Sequence, residues 1–200
     1  MPIATPVEEH HVIRLSEPAA AAGQDLLQAL RLRRSTRAFS PRPLPEHLLS
    51  TLLWAAFGIN RHGTGGRTAP SAHGWKEIAV YAAFADGVYR YEASDHALEP
   101  VATGDVRAAT GIQDYVASAP LNLVYVADFS RMTGASEEDR TFFAATDAAV
   151  VAQNVYLFCA TKGLGTVVRG LVDRMRLAPL LGLRREQRIV LAQSVGFPAD

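Results

Sequence analysis

The longest apolar stretch of the chain runs from Phe142 to Lys162, and its apolar residues recur on every side at the helical period. A helix that is apolar all round is normally buried all round, whereas a surface helix carries a single apolar stripe. At about 1.5 Å per residue the stretch spans roughly 30 Å, the width of a small domain. Asp147, Gln153 and Asn154 interrupt it, which argues against a membrane span. The pattern therefore predicts one central helix around which the rest of the chain packs.

Both ends of this helix have recognisable boundaries. Ser136 and Asp139 form a plausible capping box upstream. Gly163 is placed to end the helix in the left-handed conformation, and Gly165 is expected to keep the chain loose beyond it.

Shorter patterns predict the surrounding elements. Helices are expected over 26–32, from 45 to 56, around 104–118 and near 173–181. Strands are expected over 77–84 and 88–91, joined by a tight turn at Ala85–Gly87, and again over 121–127 and 189–195. Helices outnumber strands, and the hairpin argues against a purely parallel sheet. The expected fold class is therefore α+β.

Neither a repeat nor a shift in composition divides the chain. Residues 1–24 have the composition of an extended N-terminal arm, and 25–200 that of a single domain. The arm lacks the basic-then-apolar pattern of a signal segment, so we expect a cytoplasmic protein. Twenty basic and twenty acidic residues cancel, and no overall field attracts nucleic acid or a membrane. The single cysteine, Cys159, lies in the apolar helix and excludes an intrachain disulfide.

Positive charge is nevertheless concentrated in one segment. Arg31, Arg33, Arg34, Arg37 and Arg42 follow one another with no acidic residue between them. Such a run is either a solvated basic face or an anion site, and the neighbouring hydroxyls of Ser35 and Thr36 favour the second interpretation. Guanidinium groups bind phosphate oxygens in pairs. A nucleic-acid surface would need interleaved aromatic residues, and only Phe39 accompanies the run. A single small phosphate therefore fits better.

Two glycine-rich segments are candidates for ligand contact. Residues 60–75 contain four glycines and a proline directly before a predicted strand, which is typical of a binding loop. The turn Gly163–Thr166 follows a helix, so it is not a dinucleotide fingerprint, which opens one. His62 and His73 lie in the first loop without a carboxylate at useful spacing, and no metal site is expected. No Ser-His-Asp arrangement stands out either.

Five motifs occur in a specific order: RRSTRAF, APSAHGW, DAAVVAQN, GLGT and VGFP. Together they resemble the FMN-dependent nitroreductase family over roughly residues 26–198. The stretches LLWAAFGINR, RTAPSAHGWKEIAVY and GVYRYEASDHAL look like its compact branch, which is related to the SagB-type dehydrogenases. The resemblance implies a mostly antiparallel central sheet flanked by helices, with one long buried central helix.

The resemblance also assigns cofactor-binding residues. It implies that residues of the opening motif hold the FMN phosphate and ribityl chain and place a cation near N1 and O2 of the ring: Arg33, Arg34, Ser35 and Arg37. It implies that the glycine-rich loop lies along the flavin through Pro70, Ser71 and Ala72. It also implies that the segment after GLGT presents its backbone to N5 and O4 at Val168, Arg169 and Gly170. Gln153 and Asn154 match a pair that we interpret as structural.

The chain departs from the family pattern at two places. Gly74 stands where an Asn that binds the flavin is usual, and Lys76, at a position that is often Gln, is the candidate to replace it. No basic residue follows the VGFP motif, where family members commonly place side chains on the phosphate. Both departures are expected to weaken the hold on FMN.

The resemblance implies a homodimer with FMN at the subunit interface. NAD(P)H would reduce the flavin and leave, and a small oxidised acceptor of the nitroaromatic or quinone type would take its place. No catalytic side chain is expected, because flavin N5 carries the chemistry. Two alternatives stay open: an azoline dehydrogenase acting on peptide heterocycles, and a non-catalytic protein that binds FMN or another phosphate ligand. The sequence distinguishes neither NADH from NADPH nor the physiological substrate.

Overall fold

The computed structural model describes residues 11–18 and 25–199. The α-helices are α1 (Leu26–Leu32), α2 (Glu46–Phe57), α3 (Glu137–Thr161) and α4 (Arg174–Leu180). The strands are β1 (Ile13–Arg14), β2 (Ile59–Arg61), β3 (Gly66–Arg67), β4 (Ile78–Ala83), β5 (Gly87–Glu92), β6 (Ala97–Thr103), β7 (Leu121–Asp128), β8 (Gly165–Arg169) and β9 (Gln187–Gly196).

Seven strands form one antiparallel sheet in the order β1-β6-β5-β4-β7-β9-β8, and β2 pairs with β3 apart from it. Side chains alternate between the faces of a strand. Along β4, Val80 therefore joins the core under α2 and α3, whereas Tyr81 joins a second core under α4. On the neighbouring β7, Leu123 and Val124 divide in the same way. The mixed α+β class and the predicted hairpin of β4 and β5 are confirmed.

The predicted central helix is α3, which spans 25 residues. Ser136 caps the helix, since Asp139 donates its backbone N–H to Ser136 Oγ at 3.1 Å; the Asp139 carboxylate accepts from the Ser136 hydroxyl, so only the Ser136 half of the predicted capping box forms. Gly163 follows the helix with φ of +67°, in the left-handed conformation. Although α3 is long and apolar enough to cross a membrane, it packs against the sheet and α2. One of its faces remains exposed in the single chain; it contains Phe142, Ala145, Ala149 and Gln153.

The helix predicted around 104–118 is wrong. The segment instead forms two short 3-10 turns, Arg107–Thr110 and Asp114–Val116, with Gly111 fully extended between them. It wraps around the side chain of Arg169, and a Cβ at Gly111 would lie 2.0 Å from Arg169 Nη1. A regular helix would deny Arg169 this close contact with the backbone.

Other strands were missed by the sequence patterns. The chain is not loose after Gly165, because β8 pairs with β9 over its whole length. The strands β2, β3 and β6 were also unexpected. Part of the predicted N-terminal arm, β1, pairs with β6 at the sheet edge through Ile13 and Leu98. Residues 1–10 and 19–24 of that arm lie outside the described residues.

Candidate functional site

Three of the predicted segments meet around Tyr156, on the C-terminal half of α3. The hydroxyls of Ser35 and Tyr156 share a hydrogen bond of 2.9 Å, and the Arg33 guanidinium lies 5.4 Å from the centre of the Tyr156 ring. Val168 donates its backbone N–H to the same hydroxyl at 3.0 Å. The basic segment, α3 and β8 therefore share one hydrogen-bonding centre. Sequence reasoning missed Tyr156, although a tyrosine hydroxyl in an apolar helix normally requires a partner.

Beside Tyr156 lies a cavity of about 280 Å³. Its walls come from the basic segment, from α3 and from the glycine turn: Leu32, Arg34, Thr36, Tyr156, Cys159, Ala160, Gly163, Leu164, Thr166 and Pro198. Thr36 donates its N–H to the Thr166 carbonyl at 2.9 Å, which fixes the basic segment against β8. We call this cavity, together with the basic segment Arg33–Arg37 beside it, the cationic end of α3.

The donor set of the cationic end suits a phosphate group. Among the described residues, none of the ion pairs involves Arg33, Arg34 or Arg37, so their charges are not neutralised by a carboxylate. Guanidinium forks and hydroxyl donors are the groups that bind phosphate oxygens. The chemistry of these residues therefore fits the phosphate end of FMN. Of the predicted residues in this segment only Arg34 lines the cavity; Arg33, Ser35 and Arg37 lie outside the lining, and Arg37 is exposed.

The segment Val168–Gly170 leaves the cationic end along β8. The Arg169 side chain points into the protein, where it donates to the Thr110 carbonyl at 2.6 Å and to Asn122 Oδ1 at 2.9 Å. Burial lowers the pKa of Arg169 to about 10. Its side chain is thus unavailable to a ligand, which agrees with a role for the backbone alone. Of the backbone donors, the Val168 amide is already engaged by Tyr156.

The loop Pro70–Lys76, which we call the flavin loop, lies on the N-terminal half of α3. Ala72 donates its N–H to Asp147 Oδ2 at 2.8 Å, and His73 and Trp75 pack against Phe143. Gly74 has φ of +67° and a Cβ there would meet no atom within 4 Å. Lys76 turns its ammonium towards the β2–β3 turn.

Two carboxyl groups are buried beneath the flavin loop. Glu77, at its end, is 1 % exposed, and Asp147 on α3 is 5 % exposed. Burial, together with the neighbouring Asp147 carboxylate, raises the pKa of Glu77 to about 7. We call these residues the acidic pair. Neither was identified as a site residue from the sequence, where Asp147 only interrupted an apolar run.

The flavin loop and the cationic end do not meet within one chain. Asp147 and Tyr156 are nine positions apart on α3, which corresponds to roughly 14 Å along a helix. The predicted cofactor-binding residues therefore form two separate groups. Arg33, Arg34 and Ser35 join β8 at one end, and Pro70–Lys76 lies at the other.

The comparison with known proteins decides the family. The model of the nitroreductase family matches residues 30–197. The chain belongs to the nitroreductase family. A Ralstonia eutropha JMP134 protein, provisionally named a nitroreductase, is 44 % identical with a TM-score of 0.93, and the match covers 100 % of this chain and 95 % of that one.

A second relative and a more distant solved structure are also similar to this chain. A Methanocaldococcus jannaschii protein with the same provisional name is 31 % identical over 148 residues, or 69 % of this nitroreductase-family chain and 74 % of that protein. The NADPH:FMN oxidoreductase of Vibrio harveyi, solved with NAD⁺, shares the fold at a TM-score of 0.65 and 21 % identity, over 88 % of this chain and 69 % of that one. Membership of the family supports the activity of a flavin-dependent oxidoreductase.

Proposed function

We propose that this chain is a cytoplasmic FMN-dependent NAD(P)H oxidoreductase. It acts as a homodimer on a small oxidised acceptor of the nitroaromatic or quinone type. The observation that carries the proposal is the separation of the cationic end from the flavin loop along one helix. In a twofold dimer with α3 against α3, the loop of one subunit comes to the cationic end of the other. Each flavin site then requires both chains.

The exposed apolar surface supports this arrangement. Phe142 on α3 is 62 % exposed, and Leu26 and Leu27 on the adjoining α1 are 60 % and 58 % exposed. Large apolar side chains grouped on one face of a protein mark a surface that another protein covers. A second copy would bury this face together with the small residues Ala145 and Ala149.

The roles that we propose for this chain's own residues combine the geometry of the site with the family resemblance. Arg33 and Arg34 hold the phosphate, while Tyr156 keeps Ser35 and β8 in a fixed relation. Arg37 supplies a cation that stabilises negative charge on the ring. When bound, FMN supplies the atom that accepts hydride from the nicotinamide and returns it to the acceptor. The flavin loop of the partner chain excludes water from the ring.

Reconstitution with FMN tests the proposal. At ligand about a hundredfold above Kd, binding stabilises a protein by about 2.7 kcal/mol, which raises Tm by roughly 5–10 °C for a chain of this size. Sedimentation at micromolar concentration should show a dimer. Anaerobic NADPH or NADH should bleach the bound flavin. A protein without a thermal response to FMN contradicts the proposal, whereas bound flavin that neither nucleotide reduces indicates a non-catalytic binder.

The variant Arg33→Ala tests the phosphate assignment, with Arg185→Ala, an exposed arginine remote from the cavity lining, as its control. Each lost charge-assisted hydrogen bond costs about 1.5–3 kcal/mol, so FMN affinity should fall roughly tenfold to a hundredfold. Arg37→Ala should mainly lower the reduction potential of the bound flavin. Parental affinity in both variants would show that the run is only a solvated basic face.

A further inference from the structure

The acidic pair is unusual because both carboxyl groups are buried and, among the described residues, no ion pair involves either of them. Glu77 Oε1 is buried and has no fixed hydrogen-bond donor. Buried polar atoms in native proteins are nearly always bonded, so an orphan requires an explanation. The Glu77 and Asp147 carboxyl groups hold two consecutive loop residues, Ser71 and Ala72, and the charge of Asp147 contributes to the raised pKa of Glu77. Two neighbouring buried carboxylates cannot both ionise cheaply, and a proton shared between them would supply the missing partner of Glu77 Oε1.

The remaining oxygens of the pair hold the flavin loop. Ser71 donates its hydroxyl to Glu77 Oε2 at 3.1 Å, and Ala72 donates its backbone N–H to Asp147 Oδ2 at 2.8 Å. Ser71 Oγ in turn accepts the backbone N–H of Lys76 at 2.8 Å. Both ends of the loop are therefore tied to the two carboxyl groups.

The other charged side chains near Glu77 do not neutralise it. Lys76, Asp128 and Arg131 line the same cavity wall as Glu77. The ammonium of Lys76 lies beside Gly65, and Arg131 donates its Nε to the Trp75 carbonyl. Asp128 is paired with Arg184. None of these side chains bonds to Glu77, and the charged neighbour that raises its pKa is Asp147.

We propose that Glu77 and Asp147 share one proton and act as positioning residues, which hold the flavin loop in its binding shape only while that proton is present. The part of this inference that concerns the flavin rests on the proposed function. With the proton in place, one carboxyl donates to the other and both still accept from the loop. Without it, two adjacent buried carboxylates repel, and the least costly relief is hydration of the loop.

The pH range follows from the burial of Glu77. Its pKa is raised to about 7, so the pair keeps its proton below neutral pH and loses it above. One proton is linked to loop closure. The closed population, and any affinity that depends on it, can therefore fall by at most tenfold for each pH unit above the titration.

The experiment compares the parent with Glu77→Gln, with Glu186→Gln as the control for removal of an exposed carboxyl. Glutamine can donate to Asp147 and accept from Ser71, so it reproduces the protonated pair without titrating. The first measurement is hydrogen exchange of the Ala72 and Lys76 amides from pH 5.5 to 9, in the chain without flavin. In the parent and in Glu186→Gln, protection should fall up to tenfold per unit above about pH 7; in Glu77→Gln it should stay constant.

The second measurement is the Kd of FMN over the same range, with the Glu77→Gln protein correcting for titration of the flavin phosphate. The parent should lose affinity in the same window as its loop protection. The proposal is overturned if parent and Glu77→Gln show the same exchange profile, or if flavin binds with no pH difference between them. If amide protection falls above about pH 7 in the parent but FMN binds at no pH, the proposed function fails. The shared proton is then established by hydrogen exchange alone.

Discussion

The acidic pair and the guanidinium of Arg169 are both buried, and neither has an oppositely charged partner among the described residues. The pair lies under the flavin loop, whereas Arg169 lies beneath the segment Arg107–Thr110 at the far side of the sheet. Burial of an ion without a counter-ion is unfavourable at either place. The two places differ in how the charge is tolerated.

A carboxyl group can give up its charge by binding a proton, and with the pKa of Glu77 near 7 this happens close to neutral pH. Arg169 keeps its charge, because even a pKa lowered to about 10 lies well above neutral. It is tolerated through neutral acceptors instead, the Thr110 carbonyl and Asn122 Oδ1. We therefore expect the loop side of the molecule to respond to protons near neutral pH, whereas the charge buried beside β8 does not change there.

The largest loss of stability should follow removal of the permanent charge of Arg169. In Arg169→Met two charge-assisted hydrogen bonds are lost and the Thr110 carbonyl is left without its donor, at about 3–5 kcal/mol of the free energy of unfolding. Arg169→Lys is the matched variant: it keeps a charge but not the planar fork, and should lose about half as much. Guanidinium chloride unfolding measures both. A neutral or stabilised Arg169→Met would show that well-packed carbon replaces the buried ion.

The second effect is the pH dependence that the acidic pair gives to global stability. Because the folded-state pKa of Glu77 lies above its usual value of 4.5, this contribution is fully present below about pH 4.5 and is lost as the pH rises through about 7. The loss is on the order of 1–3 kcal/mol. Unfolding curves from pH 5 to 8.5 should show it as a difference between the parent and Glu77→Gln. Parallel curves would mean that the two buried sites do not differ in their response to protons.

Removal of a neutral buried group should change the free energy of unfolding less than a change at either charged site. In Tyr156→Phe the Val168 amide and the Ser35 hydroxyl lose their common partner, which should cost about 1–2 kcal/mol. FMN affinity should fall with it, because Ser35 is no longer fixed. Fluorescence titration against FMN measures the affinity, and Phe39→Leu serves as an aromatic control outside the cavity lining. A pH-dependent loss in Tyr156→Phe would contradict the distinction between the two ends of α3.

The sequence predicted the fold well where periodicity was long or capped. The bounds of α1 agree with the predicted helix, and Ser136 caps α3 as expected. The helix around 104–118 failed because its backbone is shaped by Arg169, a residue about sixty positions away. No local pattern contains such a contact, and tertiary contacts routinely override helix propensity.

The candidate site was predictable only in part, for a similar reason. The motifs identified the basic segment, the flavin loop and the turn before β8. The motifs did not indicate that Tyr156 joins the basic segment to β8, nor that the flavin loop is hydrogen-bonded to two carboxyl groups. Asp147 and Glu77 are seventy positions apart, and the meaning of each depends on the other. The position of Arg37 relative to the ring, like the other assigned contacts with FMN, stays a prediction.

The smallest effect concerns Gly74, where the family usually has an asparagine. Gly74 has φ of +67°, a conformation that asparagine tolerates better than most residues, and a side chain there would enter open space. Gly74→Asn should therefore change stability by less than about 0.5 kcal/mol. One added neutral hydrogen bond contributes about 0.5–1.5 kcal/mol, so FMN should bind severalfold more tightly.

The gain in FMN affinity of Gly74→Asn distinguishes the contribution of the flavin loop's own contacts from that of the buried carboxyl groups beneath the loop. Asparagine does not titrate, so the ratio of parent to Gly74→Asn affinity should be the same at pH 6 and pH 8.5, although both proteins bind more weakly at the higher pH. Gly74→Ala is the control that adds a side chain without a hydrogen-bonding group. Anaerobic stopped-flow reduction by NADPH and NADH should show similar bleaching in parent and variant, because one hydrogen bond does not decide whether hydride transfer occurs. If only Gly74→Asn is reduced, Gly74 marks a lost active site and the chain is a passive flavin binder.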